Sequence, residues 1–234
     1  MNQESSLATM LFSIIIPSRG TRPKALALAI GSVLAALSHV AGKLEPEKVE
    51  ILVGFDGIRG DRVVTAENVH YFDLPRDQNW GNGIRNILLR RAKGERLVFL
   101  DDDNALMPGA FAAYLRHMDA DMLIARIDAG KAFTSPFLPV DKPGKSLVRQ
   151  GNIDPLCLCL TRDLVVVRGQ GWQSHGKYES DYLNILRYWR RAKSIQHSED
   201  IVGIYDAGAG LDPEGVNQRQ HDLLVHKRKS EAGW

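Results

Sequence analysis

The first strong pattern in the chain is Phe12-Ser-Ile-Ile-Ile16, a β-branched run halted by Pro17-Ser18-Arg19-Gly20. A short apolar run bounded by turn residues predicts a buried strand, and the Ala/Leu-rich stretch from Pro23 to about Val40 predicts a helix after it. The alternation then repeats. Val49–Phe55 reads as a second strand ending at Asp56-Gly57, Ile58–Arg62 as a loop, and Asn68–Phe72 as a shorter strand. Gly83–Lys93 has helical spacing, Leu97–Leu100 strand character, and Pro108–Met118 helical spacing again. Strands alternating with helices at this interval predict βαβ units and a parallel sheet. The rhythm breaks between Asp128 and Arg149, where Pro136, Pro139 and Pro143 mark a long connection. A strand at Leu156–Leu160, a helix at Ser180–Arg191 and a short strand at Ile201–Tyr205 follow. Gly203, Gly208, Gly210 and Gly215 make the next stretch permissive enough for a mobile loop, and the basic segment His221–Lys229 reads as a helical tail.

This order predicts one α/β domain over residues 10–234, with a mostly parallel central sheet flanked by helices. Its Rossmann-like half runs to about residue 104 and a more variable half follows from about 105. There is no internal repeat. The balance of 30 Lys+Arg against 28 Asp+Glu removes one class of function, because a chain built to grip nucleic-acid backbone carries a basic excess. The only cysteines, Cys157 and Cys159, are spaced to share one face of a strand. With no Cys-x-x-Cys pair they read as buried free thiols in a reducing cytosol. Met1–Met10 lacks the basic start and apolar core of a secretory leader. The longest apolar stretch, Ala25–Leu37, falls short of the roughly 20 residues a membrane span needs. A cytoplasmic location is expected, without a transmembrane segment.

Chemistry concentrates at Val98-Phe-Leu-Asp101-Asp102-Asp103-Asn104. Adjacent carboxylates at the end of a buried strand repel one another and invite a cation, and hard oxygens without His or Cys suit Mg2+ or Mn2+. The alternative is an acidic turn capping the next helix. Position adds weight, since open α/β sheets bind ligands beyond the carboxyl ends of their strands. Three strands here end in polar residues: Ser18-Arg19, Asp56, and Asp101 to Asp103. Asp56 reads either as a simple Asp-Gly turn residue or as an acceptor for a nucleobase N–H. Neither a Gly-x-x-x-x-Gly-Lys-Ser/Thr phosphate loop nor a Gly-x-Gly-x-x-Gly dinucleotide fingerprint is present.

The series Phe-Ser-Ile-Ile-Ile-Pro-Ser-Arg, Val-Gly-Phe-Asp-Gly, Gly-Asn-Gly-Ile-Arg-Asn and Phe-Leu-Asp-Asp-Asp-Asn resembles the GT-A glycosyltransferases of the family-2 type. The resemblance spans about Phe12 to Tyr205. It implies a nucleotide-binding first half and an acceptor-binding second half. It further implies a UDP-sugar donor, an unknown acceptor and a divalent cofactor, Mn2+ or Mg2+. Carried over by motif, Pro17, Ser18 and Arg19 surround the nucleotide and Asp56 meets uracil. Arg85 faces the base or diphosphate, or is simply an exposed helix arginine. Asp101 and Asp102 contact ribose and sugar, and Asp103 coordinates the metal. Tyr178-Glu179-Ser180-Asp181-Tyr182-Leu183 is similar to the family's Glu-Asp segment, although Ser180 separates the two acids. This leaves Asp181 as the expected general base, with Glu179 the alternative; Ser180 or Asp181 also fits a helix N-cap. Some GT-A enzymes complete the metal site with a C-terminal histidine, a role His221, or else His226, would take. Lys227–Lys229 reads as a solvated face that meets diphosphate or a peripheral anionic membrane only if the tail folds back. Two other functions stay open: a catalytically degenerate nucleotide-sugar-binding module, and a sugar nucleotidyltransferase.

Overall fold

The computed structural model describes residues 9–77, 79–174 and 180–212. The first half contains β1 (Phe12–Ser18), α1 (Pro23–His39), β2 (Val49–Asp56), β3 (Val69–Leu74), α2 (Asn82–Arg91) and β4 (Arg96–Phe99). The second contains β5 (Ala105–Leu106), α3 (Ala110–Arg116), β6 (Met122–Asp128), β7 (Phe137–Leu138), β8 (Leu158–Thr161), α4 (Ser180–Arg191) and β9 (Ile195–Ile204). All nine strands among the described residues join one sheet in the order β3-β2-β1-β4-β8-β6-β9-β5, with β7 on β6.

The long ladders are parallel: β3 on β2, β2 on β1, β1 on β4, and β6 on β9. The short ones, β4–β8, β8–β6, β6–β7 and β9–β5, are antiparallel, so the second half is a mixed sheet grafted onto a parallel one. Every residue of β1 is buried, as expected of a central strand covered on both faces. Alternation assigns the layers. Phe12 meets Phe111 and Tyr114 of α3, with ring centroids 5.3 and 6.1 Å apart. Gly54, the register partner of Pro17, lies under Ile84 and Leu88 of α2. The two helices therefore cover opposite faces. A Cβ on Gly54 would stand 2.7 Å from the Ile84 methyl, so glycine lets α2 sit close to β2. At the amino end of the sheet Ser13 Oγ donates to the buried Glu50 at 2.6 Å, and the Lys93 and Gly94 amides complete the pair.

Three sequence expectations change. Cys157 does not share a strand face with Cys159: it closes a 3-10 turn, Pro155–Cys157, that the Asp154 side chain caps by accepting from the Leu156 amide at 2.9 Å. Both thiols are buried and free. The strand expected at Ile201–Tyr205 begins earlier, at Ile195, because β6 supplies a parallel partner for a stretch that is polar by itself. The glycine-rich stretch, as far as Asp212, is tied down rather than loose. Gly203 is part of β9, Gly208 donates to the Asp103 carbonyl at 2.8 Å, and the Asp212 carboxylate accepts from the Lys24 and Ala25 amides. Gly215 and the expected tail helix lie outside the described residues. No helix among the described residues is long and apolar enough to cross a membrane.

Candidate functional site

In the parallel half the carboxyl ends of β1, β2 and β4 open on one edge. Ser18 ends β1 opposite Phe55, and Asp56 follows at the tip of β2. Asp101 to Asn104 form the turn directly after β4, closed by the Asn104 amide donating to the Asp101 carbonyl at 3.0 Å. The expected strand-end convergence is therefore present. Pro17 packs against Gly81, whose left-handed φ of 72° starts α2 and whose added Cβ would stand 3.1 Å from the proline. Asp56 accepts from the Asp77 amide at 2.5 Å, which orders the loop leading to α2. Arg19 is exposed on the β1–α1 loop.

The three aspartates are held by two arginines. Ser18 Oγ donates to Asp102 at 2.6 Å, and Asp102 and Asp103 are bridged by the Arg22 guanidinium. Burial pushes the Asp102 carboxyl up to about 6 against the opposing pull of Arg22. Asp101 instead pairs with Arg85, whose side chain is only 3% exposed. Arg85 is thus no surface arginine. Its Nη1 donates to the Trp80 carbonyl at 3.0 Å and lies 3.9 Å from Asp181, and its guanidinium stacks 5.1 Å from the Trp172 ring centroid. Trp80 presents that carbonyl from a left-handed backbone (φ 53°), while its indole is 65% exposed. Trp172 is fixed in turn by donating from Nε1 to Asn82 at 2.7 Å and by packing on Phe99.

Asp181 lies in the first turn of α4, where the helix dipole favours a carboxylate. Burial nevertheless raises its pKa, Arg85 pulls it back, and Asp101 adds to the rise. Arg187, on the same helix, turns to the Gly171 carbonyl at 2.7 Å. Glu179, His221 and His226 lie outside the described residues.

Two site residues escaped the sequence reading. Arg22 reaches the acids from the start of α1; its signal was a second arginine in the loop after β1, which has no meaning until the chain is folded. Asp154 is pushed up to about 8 by burial and by the charges of Asp101 and Asp181. Its only sequence mark is an Asp-Pro step before an apolar run.

Chemically, the cluster offers carboxylates interleaved with two guanidinium groups, Arg22 and Arg85. Among the described residues no three His, Cys, Asp or Glu side chains form a ready-made metal cage. Asp102 and Asp103 offer hard oxygens, with neither thiolate nor imidazole beside them among the described residues. That donor set fits a cation that takes its other ligands from water and a ligand's phosphates.

Residues 13–163 match the sequence profile described as glycosyl transferase family 2. No curated protein matches the chain. Among solved structures, S. aureus TarS 1–349 superposes with a TM-score of 0.66 at 17% identity, covering 83% of this chain and 60% of that one. The TarS 1–349 complex with UDP-GlcNAc gives 0.66 at 16%, covering 84% and 58%. Mannosyltransferase PcManGT from Pyrobaculum calidifontis, in complex with GDP-Man and Mn2+, gives 0.57 at 11%, covering 92% and 60%. The chain spans about 60% of the length of these structures. At such identities the structural likeness speaks for the fold, and the profile, matching more than half of the chain, speaks for the family. The strand-end acids stand on a GT-A fold, and the chain belongs to glycosyl transferase family 2.

Proposed function

We propose that the protein is a metal-dependent glycosyltransferase that binds a UDP-sugar at the carboxyl edge of β1, β2 and β4. The observation that carries this reading is the meeting of Ser18, Asp101 to Asp103, Arg85 and Asp181, drawn from four separate segments, at the edge where α/β sheets take nucleotides. Pro17, Ser18, Arg19 and Asp56 surround the nucleoside, Asp56 accepting from the uracil N–H. Asp101 and Asp102 take ribose and sugar hydroxyls. Asp103, with Asp102 beside it, would hold Mn2+ or Mg2+, which when bound would supply Lewis-acid stabilisation of charge on the departing diphosphate.

The chain's own groups do the rest. Arg85, held rigid by Trp172 and the Trp80 carbonyl, fixes Asp101 and places positive charge between the donor site and Asp181. Asp181 accepts the proton of the acceptor hydroxyl as that oxygen attacks the anomeric carbon. Its raised pKa makes it a stronger base than a free carboxylate, and Arg85 opposes that rise by favouring the charged form. The UDP donor is favoured because TarS has been solved with UDP and with UDP-GlcNAc. PcManGT was solved with GDP-Man, so a guanine donor is the comparison to test against.

Thermal unfolding with UDP or GDP, each with and without Mn2+, separates these readings. Ligand at about 100 times its Kd adds about 2.7 kcal/mol, which for a chain of this size raises Tm by roughly 5–10 °C. The rise is expected with UDP plus Mn2+ and not with Asp103→Ala. A shift with GDP alone of the two would overturn the uracil assignment. An undiminished metal-dependent shift in Asp103→Ala would overturn the metal assignment. UDP binding without turnover of any UDP-sugar would make the protein a binding module.

A further inference from the structure

Arg22 is the N-cap residue of α1, with φ −129° and ψ 62°, and its side chain makes no capping hydrogen bond. The helix takes its cap from elsewhere, as Asp212 accepts from the Lys24 and Ala25 amides. The Arg22 side chain is thereby released to cross to the turn after β4, where Nη1 donates to Asp103 Oδ2 and Nη2 to Asp102 Oδ1. The guanidinium is 12% exposed, and the two carboxylates 2% and 8%. One planar fork spans both acids, yet its buried Nε has no hydrogen-bond partner among the described residues. The fork is held by charge more than by a complete set of donors.

The oxygens it covers are those a divalent cation would need. Guanidinium and metal repel one another at contact distance, and a site this enclosed is little screened by salt. A metal therefore reaches both carboxylates only where the fork has left.

We propose that Arg22 is the resident counter-cation of the Asp102–Asp103 pair, and that a divalent metal binds by exchanging with it. The inference rests on the donor-site reading above. Because the fork already occupies the oxygens of both acids and offsets part of their charge, the bare protein binds metal weakly. A nucleoside diphosphate gives the displaced guanidinium new partners, because a planar fork suits phosphate oxygens, and its negative charge favours the metal that takes the guanidinium's place. Metal and nucleotide are thus positively coupled, each raising affinity for the other by the same factor. Arg22 sets the size of that coupling.

The test is Mn2+ binding to the full chain without nucleotide, read from the electron paramagnetic resonance signal of unbound Mn2+. Arg22→Met is expected to bind Mn2+ at least tenfold more tightly than the unmodified protein. Addition of UDP should tighten Mn2+ binding in the unmodified protein and do so far less in the variant. Arg116→Met removes the same charge at a distance, from a pair with Asp200, and should leave Mn2+ affinity unchanged. If Arg22→Met fails to fold, Arg22→Lys carries the test, since a lysine ammonium cannot bridge two carboxylates as a planar fork does. At least threefold tighter binding is expected of it, and unchanged affinity overturns the proposal. Equal Mn2+ affinity in the unmodified protein and Arg22→Met overturns the exchange and leaves the metal reading standing. No Mn2+ binding by either protein, even with UDP, overturns both.

Discussion

Replacing Arg85 by methionine keeps the length of the side chain and removes its charge from the centre of the site. The guanidinium is 3% exposed and holds Asp101, the Trp80 carbonyl and the Trp172 ring, with Asp181 at 3.9 Å. Removing one partner of a fully buried ion pair costs about 3–5 kcal/mol. Asp101 is 35% exposed, so water recovers part of its solvation, and a loss of about 2–3 kcal/mol is expected. For a chain of this size that lowers Tm by roughly 5–10 °C. Urea unfolding at pH 7, followed by tryptophan fluorescence, measures it directly. Arg85→Met with Asp101→Asn should recover about half of the loss, since the orphaned charge is then gone. A second readout concerns Asp181. Arg85 favours its charged form, so without Arg85 the carboxyl holds its proton to higher pH. The acid limb of donor turnover should move upward in pH, with the alkaline limb unmoved. A stability change under about 0.5 kcal/mol would refute the reasoning, because it is no larger than that of an ordinary surface substitution.

Other expectations follow from single contacts. Asp154→Asn keeps an acceptor for the Leu156 amide but removes a carboxyl whose pKa is pushed up to about 8. A raised carboxylate pKa contributes stability that is complete below the unfolded value near 4 and disappears as pH rises through 8. The asparagine variant should therefore match the parent in melting temperature near pH 4 and exceed it increasingly toward pH 9. An equal gap at all pH values would exclude this cause. Asp121 behaves in the opposite way. Burial raises its pKa, but the Lys193 amide and Arg168 outweigh that and hold it low. Its contribution is present above the ordinary carboxylate range and lost as pH falls through the depressed value, so acid unfolding of Asp121→Asn should be less steep. Asp212→Ala uncaps α1 and should cost about 0.5–2 kcal/mol in urea unfolding. Gly208→Ala would place a methyl 2.7 Å from the Ala25 Cβ and should lower stability by about 1–3 kcal/mol, with UDP and Mn2+ binding weakened because Gly208 also holds the Asp103 carbonyl.

Strands β1 and β2 were legible because they are buried on both faces and write themselves as largely apolar runs. Phe12–Ile16 and Val49–Phe55 are such runs, interrupted by the paired Ser13 and Glu50, and the polar residues that stop them belong to the candidate site. Expecting ligands beyond those ends placed Ser18, Asp56 and Asp101 to Asp103 on one edge without any knowledge of contacts. The second half was less legible. Residues 195–200 read Ile-Gln-His-Ser-Glu-Asp, which local preference would leave in a loop, and only pairing with β6 makes them strand. Conversely, Leu164–Val167 has the β-branched character of a strand yet lies in a π-helical turn, Asp163–Arg168. Burial of Arg85 and the reach of Arg22 depend on groups many residues away, and a sequence pattern carries no sign of either. The same holds for Asp154, whose basicity comes from neighbours that only the fold supplies.

The place of β9 in the sheet has a consequence for how the protein is made. It is the last described strand in the chain, yet it lies inside the sheet between β6 and β5. Leu106 must wait for Gly203, and Asn104 for the Asp206 amide it binds at 2.8 Å. At a synthesis rate of about 5–20 residues per second, the turn bearing the acids stands unbraced for roughly 5–20 s after it emerges. During that time Ser18, Arg22 and Arg85 can already reach the acids, but the turn that carries them lacks its contacts with β9 and Asp206. The second half is not an addition to a finished site but a brace on the proposed one, and shortening the chain before β9 should disable donor binding even though most of the proposed donor residues remain.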